Sequence, residues 1–343
     1  MSYLRRLSLA ALALGAQFGA TAAEKLPDGL YAEITTTRGV IISELFYKRA
    51  PMTCANFVGL AEGTLGPAPR KPFYDGLTFH RVVPGFVVQG GDPKGTGAGD
   101  AGYLFPDEIV SGFKHDGLGV MQMANSGPDT NGSQFCFMLG PARHLDYAHT
   151  IFGHAVRGLD VLPKIQQGDK MTVKILRIGQ DAQNFRTDEK TFNSRVMRAP
   201  RLATAHFEDL EGVLPGDQPW RVKYYETKLA NLQRFRGGQA YVRMADKFDP
   251  EFPGQTMQQF TEHFRELLHL PRDAVLAFYF AEPDQWTLAL GARQGIKLPD
   301  FTHRTGKQPA ESDTEAVKAE RKRVSNSAVE VINGLIVQFE NSK

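Results

Sequence analysis

Residues 79–92 read FHRVVPGFVVQGGD, two short β-branched runs on either side of Pro84-Gly85. Apolar runs of this length, broken by proline and glycine, predict paired strands joined by a tight turn. Two later stretches keep the same punctuation: MQMANSGPDTNGSQF at 121–135 and HLDYAHTIFG at 144–153. Nearer the N-terminus, Tyr31-Ala-Glu-Ile-Thr-Thr and Val40-Ile-Ile-Ser-Glu-Leu-Phe46 flank Thr37-Arg38-Gly39, the pattern of a β-hairpin. With runs at 77–82, 86–89, 120–124, 134–139, 151–156 and 172–178, eight short strands are expected. Strands that short, with glycine- and proline-rich connections, suggest a closed antiparallel barrel. Two helices are expected to plug its ends, one over 51–61 beginning at Pro51 and one over 159–167 ending at Gly168.

Taken together, in this order and with these gaps, the three stretches closely resemble the core signature of the cyclophilin family. The resemblance spans about residues 29–180. It implies a mainly β fold: an eight-stranded antiparallel barrel capped by two helices. It also implies an activity, rotation about Xaa-Pro peptide bonds. Residue by residue, Arg81 matches the family's catalytic arginine, with Gln89 and Asn125 beside it. Phe86 and Val87 match the floor of the proline pocket, and Leu145 and His149 its far wall and rim. Gln89, Ala124, Asn125 and Gln134 match residues that bind the substrate backbone. Ser126, Gly95, Cys136 and His144 fall at the remaining substrate-binding positions.

Those residue types suit the chemistry. Rotation of a peptide bond is opposed by a barrier of roughly 18–20 kcal/mol, because the nitrogen lone pair is delocalised into the carbonyl. No nucleophile, metal or cofactor is called for; a site need only bind the twisted amide better than the planar one. A guanidinium near the proline nitrogen can donate to the lone pair as it localises, and it stays charged at any physiological pH. An apolar pocket grips the ring while polar side chains hold the flanking backbone. The expected partners are therefore proline-containing polypeptides. A second reading, from another class, is a proline-segment binding module or chaperone with low turnover.

Two positions depart from the family pattern. Cys136 stands where an aromatic wall residue is common, which opens the proline pocket. His144 replaces the tryptophan of the best-known members, at the rim that contacts cyclosporin in sensitive ones. Other motifs fail on context. Residues 97–102 (GAGDAG) satisfy GxGxxG, but Tyr103-Leu-Phe-Pro106 follows, so no helix N-terminus is offered to a phosphate. His144, His149 and His154 are five apart, which suits neither a helix face nor a strand face for a metal.

The N-terminus reads as a targeting segment. Arg5-Arg6 precede an apolar run over 7–16, and Ala20-Thr21-Ala22 supplies small residues for cleavage near Ala22 or Ala23. Export to a bacterial periplasm is expected, with no membrane association after cleavage of residues 1–23. Removing that segment leaves basic and acidic side chains balanced at 38 each, so overall charge gives nucleic-acid binding no support. Cys54 and Cys136 are too few for a disulfide framework, and two buried thiols are expected. The organisation expected is a barrel domain over 24–182, a polar linker over 183–200 and an α+β region over 201–343. In the last, helical stripes at Val222, Tyr225, Leu229 and Leu232 and at Met257, Phe260, Phe264 and Leu267 precede a hairpin around residues 282–285. A final helix carries Ala328, Ile332, Leu335 and Phe339. No catalytic constellation stands out in that region, and the oligomeric state is not legible.

Overall fold

A computed structural model describes residues 25–199, 205–214, 220–299 and 314–341. The targeting segment expected over residues 1–23 lies outside them. The first unit contains β1 (Gly29–Thr36), β2 (Gly39–Leu45), α1 (Pro51–Glu62), β3 (Arg81–Val83), β4 (Val87–Gly90), β5 (Val120–Met123), β6 (Phe135–Met138), β7 (Ile151–Arg157) and β8 (Met171–Ile178). These strands form one antiparallel sheet in the order β3-β4-β6-β5-β7-β2-β1-β8. Its two edges meet just ahead of β3, where the Met171 N–H donates to the Leu77 carbonyl and the Phe79 N–H to the Asp169 carbonyl, each at 2.9 Å. The expected mainly β barrel is present. Closure leaves no open edge to template aggregation.

The barrel core is aromatic. Phe57 of α1 lies 5.0 Å from Tyr74, 5.3 Å from Phe135 and 5.4 Å from Phe152 between ring centroids, so α1 plugs one end. The second expected plug, over 159–167, shrinks to a single 3-10 turn at Leu162–Lys164. Pro163 explains this: it has no N–H to give, and its ring would clash with the carbonyl four residues earlier in a longer helix.

The segment expected as a linker over 183–200 is part of the barrel unit. After α2 (Gln180–Gln183), α3 (Glu189–Arg198) is capped by Asp188, whose carboxylate accepts from the Thr191 N–H at 3.0 Å. Phe192, 4% exposed, packs against Tyr103 and Phe105. One buried aromatic among many charges carries no visible period, yet it anchors the helix. The unit thus extends beyond residue 182.

The C-terminal unit is α+β. It comprises β9 (Phe207–Asp209), α4 (Trp220–Arg236), β10 (Ala240–Lys247), α5 (Met257–Leu267), β11 (Val275–Glu282), β12 (Gln285–Ala289) and α6 (Thr314–Asn341). The sheet order is β12-β11-β10-β9, with β9 and β11 parallel to β10 and β12 antiparallel to β11. Alternate residues of β10 and β11 face opposite ways. Val242, Met244, Val275 and Ala277 pack with α4 and with Ala328, Ile332, Leu335 and Phe339 of α6. Tyr241, Leu276, Phe278 and Phe280 pack with Phe260 and Phe264 of α5.

The two units share a polar seam along α4. Arg234 donates to both carboxylate oxygens of Asp129 at 2.7 and 2.5 Å, and Asn231 donates to the Tyr147 carbonyl at 2.8 Å. Glu340 of α6 accepts from Lys114 at 2.5 and 2.6 Å and from the Tyr147 hydroxyl at 2.8 Å.

Candidate active site

Strand register builds the site. Arg81 pairs with Gln89 across β3–β4, Gln89 with Cys136 across β4–β6, and Cys136 with Gln122 across β6–β5. Directly opposed residues of neighbouring strands project to the same face. Four side chains therefore form a row across the barrel surface, from the exposed Arg81 to the buried Gln122. Phe86 is set by a turn: its N–H donates to the Val83 carbonyl at 3.0 Å, with Pro84 at the first corner and Gly85 at φ 72° at the second. That geometry is a type II turn, in which the second corner wants glycine.

The row opens into a cavity of about 700 Å³. Arg81, Phe86, Val87, Gln89 and Cys136 line it from the strands. Ala124, Asn125 and Ser126 line it from the loop after β5, and His144, Leu145 and His149 from the segment before β7. Gln134 sits next door, in a smaller cavity of about 140 Å³ that shares Gln89, Ala124, Asn125 and Ser126 with the first. Gly95 joins neither lining. Its loop folds back on the Asp92 carboxylate, which accepts from the N–H groups of Lys94, Thr96 and Gly97 at 2.7, 2.9 and 2.5 Å. This holds Gly95 in solvent at φ 68°.

Hydrogen bonds fix the polar residues. The Arg81 Nη1 donates to Gln89 Oε1 at 3.1 Å, and Gln89 Nε2 donates to Gln134 Oε1 at 2.9 Å. Gln134 in turn donates to the carbonyls of Gly97 and Gly99 at 2.9 and 2.8 Å. Asn125 donates to the Ala148 carbonyl at 2.8 Å, which ties the loop after β5 to the opposite wall. The His149 Nδ1 donates to the Met123 carbonyl at 3.1 Å. Burial pulls the His149 imidazole down to about 3, so the ring is neutral and serves as an apolar rim with one committed donor.

Cys136 and Cys54 are both free and buried. Burial pushes the Cys136 thiol up to about 12, so the pocket wall carries a neutral thiol and no thiolate nucleophile. His144 stacks on Phe86 with ring centroids 5.8 Å apart and planes inclined by 19°. Gln122 was not singled out from the sequence. It lies between Met121 and Met123 in a strand buried throughout, and only the register shows that it faces the cavity. Its Oε1 is buried without a hydrogen-bond partner among the described residues.

The far side of the same cavity is not barrel. Trp220, Arg221, Tyr224, Tyr225 and Thr227 of α4 line it, together with Val329 of α6. The Tyr224 hydroxyl and the Lys228 ammonium both donate to the His144 carbonyl, the latter at 2.7 Å.

The model of the family described as cyclophilin type peptidyl-prolyl cis-trans isomerase/CLD matches residues 31–180. A peptidyl-prolyl cis-trans isomerase of Arabidopsis thaliana is 45% identical over 144 residues, which are 40% of this chain and 83% of the relative. Peptidyl-prolyl cis-trans isomerase A of Mycobacterium tuberculosis is 49% identical over 132 residues, 36% of this chain and 72% of its own length. A solved cyclophilin type isomerase of Cryptosporidium parvum, crystallised in the presence of the dipeptide Ala-Pro, covers 44% of this chain and 99% of its own at 30% identity, with a TM-score of 0.38. The matched residues are the barrel that carries Arg81, Gln89 and Asn125, and the chain belongs to the cyclophilin-type peptidyl-prolyl cis-trans isomerases.

Proposed function

We propose that this isomerase turns Xaa-Pro bonds of exported polypeptides and so assists their folding in a bacterial periplasm, with Arg81 as the catalytic group. The observation that carries the catalytic part is the Arg81–Gln89–Gln134 chain of hydrogen bonds at the mouth of an apolar pocket. The proline ring enters between Phe86, Leu145 and His149. Asn125 and Gln89 hold the flanking backbone, so that one side of the amide turns against a fixed other side. As the bond twists, its nitrogen regains a lone pair, and the Arg81 guanidinium donates to it. That contact is stronger at the twisted amide than at the planar one, which is the condition for lowering a barrier. Because Gln89 already holds the guanidinium in place, little reorganisation accompanies the step.

Binding with low turnover is the second reading, and Cys136 favours it, because a thiol fills less of the proline pocket than an aromatic ring. A coupled proline-isomerisation assay on the purified mature chain separates the two. Catalysed exchange of short Xaa-Pro peptides is expected; binding without acceleration supports the second reading. Export is supported by Arg5-Arg6, the apolar run and Ala20-Thr-Ala22. N-terminal sequencing of the mature protein should start at Ala23 or Glu24, and an intact Met1 in a soluble cytosolic fraction would contradict it.

A further inference from the structure

The proline pocket continues past the barrel onto α4. A cavity of about 700 Å³ is the size that holds a multi-ring ligand, well beyond one pyrrolidine ring. The extra room lies against Trp220 and Tyr224. These two rings meet at 67° with centroids 6.2 Å apart, and the Arg221 guanidinium sits 5.0 Å from the indole centroid. Trp220 remains 56% exposed, a large apolar face turned to the same cavity as Phe86 and His144.

The wall is held in place. Tyr224, Lys228, Asn231 and Arg234 follow one another along one face of α4, and each bonds to the barrel, to His144, His144, Tyr147 and Asp129 respectively. A helix fastened at three successive turns presents its first turn to the cavity in a fixed position.

We infer that α4 is a specificity surface: Trp220, supported by Tyr224, receives an aromatic side chain that flanks the proline of the client. An incoming ring can stack on the exposed indole or meet it edge-on, as aromatic pairs prefer. The continuity of this wall with the proline pocket selects a polypeptide as the occupant, since a chain gripped at its proline must run out along one of the cavity's walls. The inference rests on the reading that the barrel pocket holds the proline.

The test uses the full mature chain and two matched peptide series, with phenylalanine or alanine beside the proline. The ratio of kcat/KM between the series, and the ratio of Kd by calorimetry, are measured for the wild type, Trp220→Ala, Trp220→Phe and Arg81→Ala. The wild type should favour the phenylalanine series. Trp220→Ala should reduce that preference about 3- to 10-fold, through KM and Kd, while Trp220→Phe retains most of it. A merely structural role for Trp220 would weaken both series alike and leave the ratio unmoved. An unchanged ratio in Trp220→Ala, with an unchanged melt, overturns the inference. Arg81→Ala reports on the other reading: if it leaves both rates intact, the catalytic assignment fails, and the Kd ratio still decides the role of Trp220.

Discussion

Arg81 and Gln89 stand opposite one another across the β3–β4 ladder, with the guanidinium Nη1 3.1 Å from the amide Oε1. The contact makes Gln89 a positioning residue as well as a lining one. Its amide group spends its acceptor on Arg81 and a donor on Gln134, so the orientation of the exposed cation is tied to the carbonyls of Gly97 and Gly99. Gln89→Leu keeps the volume and removes both bonds. It should lower kcat/KM about ten- to hundredfold, the scale of losing a hydrogen bond to a charged group, with most of the loss in kcat. A loss confined to KM would show that Gln89 only binds substrate.

The barrel unit should need α3. In a chain ending at residue 182, the site that Phe192 fills against Tyr103 and Phe105 is left open. Losing a buried phenylalanine commonly costs about 3–5 kcal/mol. A chain spanning 24–199 should therefore melt well above one spanning 24–182, measured by circular dichroism. Equal melting temperatures would mean that α3 is a loosely attached connection after all.

Lys228 gives the seam between the units a pH dependence. Burial pulls its ammonium down to about 7, against the pull of Asp146 and Glu340 in the other direction. Between about pH 7 and the ordinary lysine value near 10.5, the unfolded chain holds a proton that the folded chain does not. The contribution of this side chain to stability therefore rises with pH across that window and is lowest below about pH 7. Lys228→Met removes the penalty of burying a charge. It should raise Tm by several degrees more at pH 6 than at pH 9 when each is compared with the wild type. The same change at both pH values would show that Lys228 is not titrating in the seam.

The barrel was legible because local chemistry announces it, and most of its pocket because the three stretches resemble the cyclophilin signature. Pro84-Gly85 sets a turn, and the runs around it are strands of recognisable length. What the sequence concealed is non-local. Gln122 looks like a polar interruption in a core strand until its pairing with Cys136 aligns it with Arg81 and Gln89. The strand β10 reads AYVRMADK, buried over its first six residues, with Arg243 ion-paired to Glu208 at 2.7 Å in its middle. A charge at that position hides a strand packed on both faces. Phe192 is the one buried residue of α3, and with Val196 four residues on it makes an apolar stripe too short to stand out among the charges. The wall built by α4 could not be read at all, since it depends on how Asn231 and Arg234 dock onto Tyr147 and Asp129, more than 80 residues away.

The Arg81 guanidinium is proposed to act on the twisting amide. Isomerase kinetics of Arg81→Ala and Arg81→Lys, run beside thermal melts, test it most directly. Arg81 is exposed, so its removal should leave Tm nearly unchanged. Removing one preorganised charged donor should lower kcat/KM by about two to three orders of magnitude. Arg81→Lys should recover only part of it, because an ammonium lacks the planar donor fork that can serve Gln89 and the amide nitrogen together. Near-wild-type kcat/KM in Arg81→Ala, with an unchanged melt, would contradict the account and leave the barrel as a proline-binding module.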